Sequence, residues 1–331
     1  MELTVCICTH NRPAYVKDCL AGLDRQTTGR ERFAVLIVDS ASAAREREEL
    51  AQLAASDPTL RLLRLSQPGV SAARNAGAWA ARTPYIAYID DDAIPAPDWV
   101  ASILVAIQGQ PRRPALIGGR ILPKWEAPLP VWWPRSLRGV LSIIEAEGSG
   151  EYRTAALPEG LEPYAANMVV HVLSLLSVGG FGTKVGRHGK CLLSDEEVQL
   201  AWKLQDAGHS VRYESSIVVE HQIQAGRLTP QWLLSRLFWQ GASTVVTRQM
   251  LGYEQNVGRE LPRRLLVAAI CAPAQLLPAN STRMIWARWR FAYAAGFIRA
   301  AFGWDAARAA RKEDLAKTRL EPGSIFVSDP A

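Results

Sequence analysis

The sequence contains no run of the about 20 apolar residues that a membrane-spanning helix requires. The nearest, Leu265 to Ala279, is uncharged but short and carries Pro273 and Pro278. It suits a membrane interface or a packed core, not a crossing. Cysteine is scarce: Cys6, Cys8, Cys19, Cys191 and Cys271 are all there are. An odd number without repeated spacing argues against a disulfide framework and against a structural zinc site. Cys6 and Cys8 lie two apart in an apolar run, so they read as core thiols on one face of a strand. Met1-Glu2-Leu3 enters that run without a basic segment or a small-residue cleavage site, so no secretory leader is expected and the compartment reads as cytoplasmic. Zinc-finger spacing, the RNP signature and a basic zipper are also missing, so nucleic acid is not an expected partner.

What remains is an ordinary globular composition. The 331 residues are 48% hydrophobic and 21% charged, enough for one large domain with an appendage or for two small ones. The net charge of +6 is unevenly spread: residues 226–319 hold 15 basic and 5 acidic side chains. A basic C-terminal third suits a phosphate-rich partner, and with nucleic-acid motifs missing that partner is an anionic membrane surface. Three segments are expected: a ligand-binding α/β unit over 1–225, a basic amphipathic helical region over 226–304, and a polar tail over 305–331.

The first 120 residues alternate β-rich runs with helical patterns. Strands are expected at Leu3 to Cys8, Phe33 to Val38, Leu60 to Leu65 and Tyr85 to Ile89. Helices are expected from Pro13, over Arg45 to Ala54, Val70 to Ala81 and Asp98 to Ile107. This alternation indicates a mostly parallel sheet covered on both faces. Further on, Ser194 to Ala207 reads as a helix, Val211 to Tyr213 and Ile217 to Val219 as two short strands, and Thr229 to Leu251 as a helix. Two more helices are expected after Pro262. Residues 123–163 lack periodicity, and Trp125, Trp132 and Trp133 stand there among prolines; they are equally suited to stacking on sugar rings, to a membrane interface, or to anchoring the segment.

In such sheets ligands gather beyond the carboxyl ends of the strands. Thr9, Asn11 and Arg12 follow the first strand, Asp39 and Ser40 the second, and Asp90, Asp91 and Asp92 the fourth. Three adjacent carboxylates repel one another, which a hard divalent ion relieves. Alternation along an extended chain would point Asp90 and Asp92 the same way. The bland alternative is an acidic turn leading into the next helix.

Four ordered motifs favour the ion. Thr9-His10-Asn11-Arg12, Val38-Asp39-Ser40-Ala41-Ser42, Ala73-Arg74-Asn75-Ala76-Gly77 and Asp90-Asp91-Asp92 together resemble the family 2 glycosyltransferases of the GT-A fold. The resemblance continues through Ala166-Asn167-Met168, Gly179-Gly180-Phe181, Glu196-Glu197 and His221, over the first 225 residues or so. It implies a Rossmann-like mixed, mostly parallel sheet flanked by helices, and inverting transfer from a nucleotide diphosphate sugar to an acceptor hydroxyl. Cell-surface or extracellular glycans and glycolipids are the implied products, made on the cytoplasmic face of a membrane. Mg²⁺ or Mn²⁺ is the implied cofactor, and uridine the favoured donor base.

By the same resemblance, Thr9, Asn11, Arg12, Asp39, Arg74, Asp90 and Asp91 are the expected donor-binding set, with Asp39 on the base and Arg74 near the diphosphate. Asp92 and His221 are the expected metal ligands. The family's Glu-Asp pair, whose Asp is the general base, falls on Glu196-Glu197, so Glu197 is expected to take the acceptor proton, with Asp195 as the substitute. Ser194 to Glu197 also reads as a capping box, Glu197 reaching back to Ser194. Two other readings stand beside this one. A sugar nucleotidyltransferase would need a Gly-rich phosphate loop after the first strand, which His10-Asn11-Arg12-Pro13 does not provide. A non-catalytic sugar-nucleotide or membrane-scaffold protein is kept open by the Glu in place of Asp.

Overall fold

The structure is a computed structural model that describes residues 1–110, 112–158, 161–183, 192–276, 282–303 and 326–328. The N-terminal half runs β1 (Leu3–Thr9), α1 (Pro13–Asp24), β2 (Phe33–Asp39), α2 (Ala44–Ser56), β3 (Leu60–Arg64), α3 (Val70–Ala80), β4 (Tyr85–Asp90), β5 (Ala93–Pro95) and α4 (Trp99–Gln108). It continues through β6 (Leu116–Trp125), β7 (Ser149–Glu151), β8 (Asn167–His171), α5 (Val172–Ser177), α6 (Glu196–Asp206) and β9 (Val211–Ile223). Three long helices follow, α7 (Pro230–Met250), α8 (Glu254–Cys271) and α9 (Thr282–Ala301), and β10 (Phe326–Ser328) is the last described element.

Among the described residues one sheet has the order β10-β3-β2-β1-β4-β8-β6-β9-β5, with β7 pairing β9. Strands β3, β2, β1 and β4 are parallel, whereas β8 is antiparallel to β4 and β6 antiparallel to β8. The chain steps outward from β1 in opposite directions to reach β2 and β4. That reversal opens a crevice beyond their carboxyl ends. Apolar strand residues such as Val5, Cys6, Ile37, Val38, Ile86 and Ala87 are fully buried beneath it.

Helix α3 lies close on this sheet because Gly77 has no side chain: a Cβ there would meet Cys6 Sγ at 2.5 Å. The next residue but one toward the N-terminus, Asn75, bonds Phe181 in both directions, donating to its carbonyl at 3.0 Å and accepting from its amide at 2.9 Å. Helix and loop thereby hold Arg74 between them.

Several expectations are corrected. The two short strands after Ala207 are one strand, β9, which pairs with β6 across a register shift at Gly119/Arg120. Strands β6 and β8 carry too little alternation to be read. Pro262 lies inside α8 and does not precede it; its ring is on the solvent side, and packing against α9 sustains the helix around it. Of the three uses left open for the tryptophans, anchoring is the one Trp133 serves: it is buried, lies against Trp132 and Trp232, and belongs to a cluster with Leu233 and Leu237 of α7. The Leu265 to Ala279 run begins in α8 and ends beyond the described residues, as does most of the 305–331 tail and Cys191.

Candidate active site

Beyond β1, β2 and β4 opens a cleft of about 460 Å³ lined by Thr9, Arg12, Ser40, Arg74, Asp90, Asp91, Asp92, Asp195, Glu196, Glu197 and His221, among others. This volume suits a mid-sized polar ligand.

One end is built on β2. Asp39 closes the strand and is 1% exposed; it does not itself line the cleft, whereas Ser40 after it does. Its Oδ1 accepts from the Ser42 amide at 2.9 Å, while no donor among the described residues reaches Oδ2. A buried carboxylate oxygen without a donor is costly unless a ligand supplies one. Ser40 beside it is fixed by Gly69, whose amide donates to the Ser40 hydroxyl at 2.9 Å. Asn11 is used differently from Thr9 and Arg12. With φ at 59°, it accepts from the Ala43 amide at 2.7 Å and its own amide donates to Ser42 Oγ at 2.8 Å, so it latches the β1 and β2 loops together.

The three aspartates do not alternate, because the strand ends at Asp90 and the next two residues form a turn. Asp90 is the most open, with its side chain 36% exposed and 3.6 Å from Arg74. Asp91 turns back to the first strand, accepting from Thr9 Oγ1 at 2.7 Å and Arg12 at 2.6 Å. Its burial, together with neighbouring Asp92 and against the pull of Arg12, pushes its carboxyl up to about 6. Asp92 points inward. Its Oδ2 accepts from Arg12 at 3.1 Å, Gln224 at 2.9 Å and Arg227 at 3.1 Å, and its Oδ1 lies 3.2 Å from His221 Nε2. Burial alone would raise Asp92, but His221 and the two guanidiniums outweigh it and hold the carboxyl far below the usual range.

His221 is held from both sides. Its Nδ1 lies 3.0 Å from the Leu141 carbonyl and can only donate there. Its Nε2 faces Asp92, and Arg227 reaches both groups, with one guanidinium nitrogen 3.5 Å from His221 Nε2 and the other donating to Asp92 Oδ2 at 3.1 Å. A histidine held through its other ring nitrogen by a backbone carbonyl is also how metal-binding imidazoles are oriented. No three His, Cys, Asp or Glu side chains among the described residues gather as a complete metal cage. Asp92 and His221 are the two oxygen- and nitrogen-bearing groups here that could contribute to a hard ion, and in this arrangement Asp92 is engaged by Arg12, Gln224 and Arg227.

The opposite wall comes from the start of α6. Arg74, buried, donates to Glu196 Oε1 at 2.9 Å and lies 3.2 Å from Glu197 Oε1. Burial, reinforced by Glu196 and opposed by Arg74, pushes the Glu197 carboxyl up to about 7. The capping box expected here does not form. Asp195 occupies the position before the helix with φ at 80°, and Ser194 Oγ turns to Asp195 Oδ1 at 3.2 Å. Gln240 of α7 donates to that same oxygen at 2.7 Å, and Arg236 of α7 donates to Ser194 Oγ at 3.1 Å. Burial raises the Asp195 carboxyl, with the Gln240 bond working against it.

Arg227, Arg236 and Tyr164 also line the cleft, and Gln224 and Gln240 bond its carboxylates, yet none of the five lies in a motif that marks the site. Arg227 had a signal, since it follows His221 by six residues just past the end of β9. The α7 residues had none, because their spacing says only that they lie on a helix.

Comparison with known proteins agrees with this layout. Residues 4–128 match the family model for glycosyl transferase family 2. A glucosyl-dolichyl phosphate glucuronosyltransferase of Haloferax volcanii is 30% identical over 176 residues, 53% of this chain and 54% of its own. A pre-mycofactocin glycosyltransferase of Mycobacterium tuberculosis is 28% identical over 232 residues, 69% of this chain and 45% of its own. The chain thus spans about half the length of the curated relatives it matches. Among solved structures, the mannosyltransferase PcManGT from Pyrobaculum calidifontis in complex with GDP-Man and Mn²⁺ superposes with a TM-score of 0.53 at 18% identity, covering 96% of this chain and 76% of that one. S. aureus TarS 1–349 in complex with UDP-GlcNAc gives 0.54 at 12% identity, covering 100% and 97%. At these identities the likeness establishes the fold: a curled, mostly parallel sheet flanked by helices, as in GT-A glycosyltransferases, with a helical C-terminal region.

Proposed function

We propose that this chain, which carries a family 2 glycosyltransferase domain over residues 4–128, transfers a sugar from a nucleoside diphosphate sugar to an acceptor hydroxyl with inversion at the anomeric carbon. The observation that carries this reading is one cleft that joins a cluster of aspartates and guanidiniums around Asp91 and Asp92 to a carboxylate with a raised proton affinity on Glu197. A donor-seeking carboxylate oxygen on Asp39 stands next to its lining residue Ser40.

Asp39 Oδ2 needs an N–H partner, which the ring edge of uracil or guanine supplies. Arg12, Arg74 and Arg227 provide the positive charge for the diphosphate. Asp92 and His221 would hold Mg²⁺ or Mn²⁺, whose contribution when bound is to neutralise charge building on the departing diphosphate. The donor sugar then lies between Asp90 and the α6 wall. The acceptor oxygen attacks the anomeric carbon, the bond from that carbon to the diphosphate oxygen breaks, and the acceptor proton passes to Glu197. A base whose proton affinity matches neutral pH serves this step well. Glu196 holds Arg74 in place, and Asp195 remains the second candidate base. The acceptor belongs to a glycan or glycolipid, and the reaction runs on the cytoplasmic side of a membrane.

The test is slow hydrolysis or transfer with a panel of nucleotide sugars, with and without Mn²⁺. Turnover of a UDP- or GDP-sugar is the expected result. Tight nucleotide binding without turnover of any donor would replace this reading with a non-catalytic sugar-nucleotide-binding protein.

A further inference from the structure

Helix α8 has one face turned to the protein and one turned away. Val257 and Cys271 are buried, and Arg264 lies over the rings of Tyr293 and Phe297 of α9. The opposite face carries Arg259, Arg263, Leu266 and Ile270, spaced four, three and four residues apart, which is one stripe of an α-helix. All four are exposed, Leu266 at 60% and Ile270 at 68%. Leu265 at 45% and Leu276 at 90%, just past the helix, widen the apolar end. Arg288 of α9 donates to the Ala274 carbonyl at 2.9 Å, which fixes the turn after α8.

We infer that this face of α8 is a docking surface for an anionic lipid bilayer, with Leu266 and Ile270 entering the headgroup boundary and Arg259 and Arg263 lying on lipid phosphates. The inference rests on the proposed transferase reading for its purpose but on separate residues for its support. Among the described residues no helix is long and apolar enough to cross a membrane, so the face can only lie in the interface plane. Charge selects the occupant. Residues 226–303 contain ten arginines and two glutamates, with no lysine or aspartate. A second copy of the chain would set like charge against like charge, and one stripe on one helix is far short of a standard dimer interface. A nucleic acid would satisfy the arginines but leave Leu266 and Ile270 against water. An anionic bilayer satisfies both halves of the stripe.

The experiment is co-sedimentation of the full chain with phosphatidylcholine vesicles, either pure or containing about one quarter phosphatidylglycerol, without donor or acceptor. The wild type is expected to partition onto the anionic vesicles, and raising salt from about 0.1 to 0.5 M to weaken but not abolish this. Leu266→Ser with Ile270→Ser should lower partitioning by about tenfold or more. Arg259→Gln and Arg263→Gln should each lower it roughly fivefold on anionic vesicles only. Both positions are exposed, so unchanged far-UV circular dichroism is expected. Failure of the wild type to bind anionic vesicles would overturn the inference, as would full binding by the double serine variant. Concentration-dependent dimerisation in the absence of lipid, abolished by the same serine pair, would also overturn it in favour of a second copy. Because the readout is partitioning and not turnover, each of these outcomes leaves the transferase reading standing.

Discussion

Glu197 and Asp92 are both carboxylates in the same cleft, yet their surroundings drive their protons in opposite directions. Asp92 accepts from two guanidiniums and faces His221, so it stays ionised; Glu197 is buried beside Glu196 with a shared Arg74 as its counter-charge. For Glu197 the folded state binds a proton more tightly than the ordinary value of 4.5 implies. Its contribution to stability is therefore present at low pH and lost as pH rises from about 4.5 toward 7. Activity should move the other way, because only the ionised form can accept a proton. We expect kcat/KM to rise with pH through about 7 and Glu197→Gln to lower kcat by roughly 10²-fold with nucleotide affinity unchanged. A Gln variant with wild-type kcat would move the role to Asp195. Asp39→Ala should instead raise KM for the donor and leave kcat nearly unchanged, since a base contact is the same in ground and transition states; a pure kcat loss would misplace the nucleotide. These residues were legible because ordered motifs carry Asp39 and Asp92 to strand ends and Glu197 to the start of α6. Arg236 and Gln240 of α7 were not, because a charged or amide residue on a helix looks the same whether it faces solvent or a cleft.

At the level of elements, the start of α6 is held from outside the α/β unit. Ser194 and Asp195 bond Arg236, Gln240 and Ser243 of α7, which replaces the self-contained cap that the local sequence suggests. Tertiary bonds have displaced a local motif, and no spacing rule foresees that. The backbone at Asp195 is left-handed, a region that Asn and Gly tolerate and β-branched residues do not. Asp195→Asn should therefore leave the melting temperature nearly unchanged, whereas Asp195→Val should destabilise the protein by about 1–3 kcal/mol; equal losses for both would show that the carboxylate, not the backbone, sets stability here. The first four strands and four helices were readable from alternation and period. Strand β6 was not, since Gly118 and Gly119 interrupt it. A Cβ at Gly119 would meet Asn167 Nδ2 at 2.2 Å and the Ile217 carbonyl at 2.5 Å, so the glycine answers a neighbour that lies 48 residues away in sequence.

For the whole molecule, the boundary expected at residue 225 does not coincide with the edge of the cleft. Arg227 and Arg236 line it from the C-terminal side, and Gln240 fixes Asp195 from there. Helices α7 and α9 approach most closely at two glycines. A Cβ on Gly241 would meet the Tyr293 carbonyl at 2.1 Å, and one on Gly296 the Phe238 carbonyl at 1.8 Å. Gly296→Ala is expected to cost about 1–3 kcal/mol through overpacking, visible as a lower melting temperature. Backbone rests on backbone at these two glycines, and on either side Val245 and Val246 of α7 pack with Phe297 and Ala300 of α9. The loop at Ser194 and Asp195 hangs from α7 through Arg236, Gln240 and Ser243. A single methyl group added at Gly241 or Gly296, where α9 meets that helix, is therefore expected to reach the active site by displacing the helix that holds it.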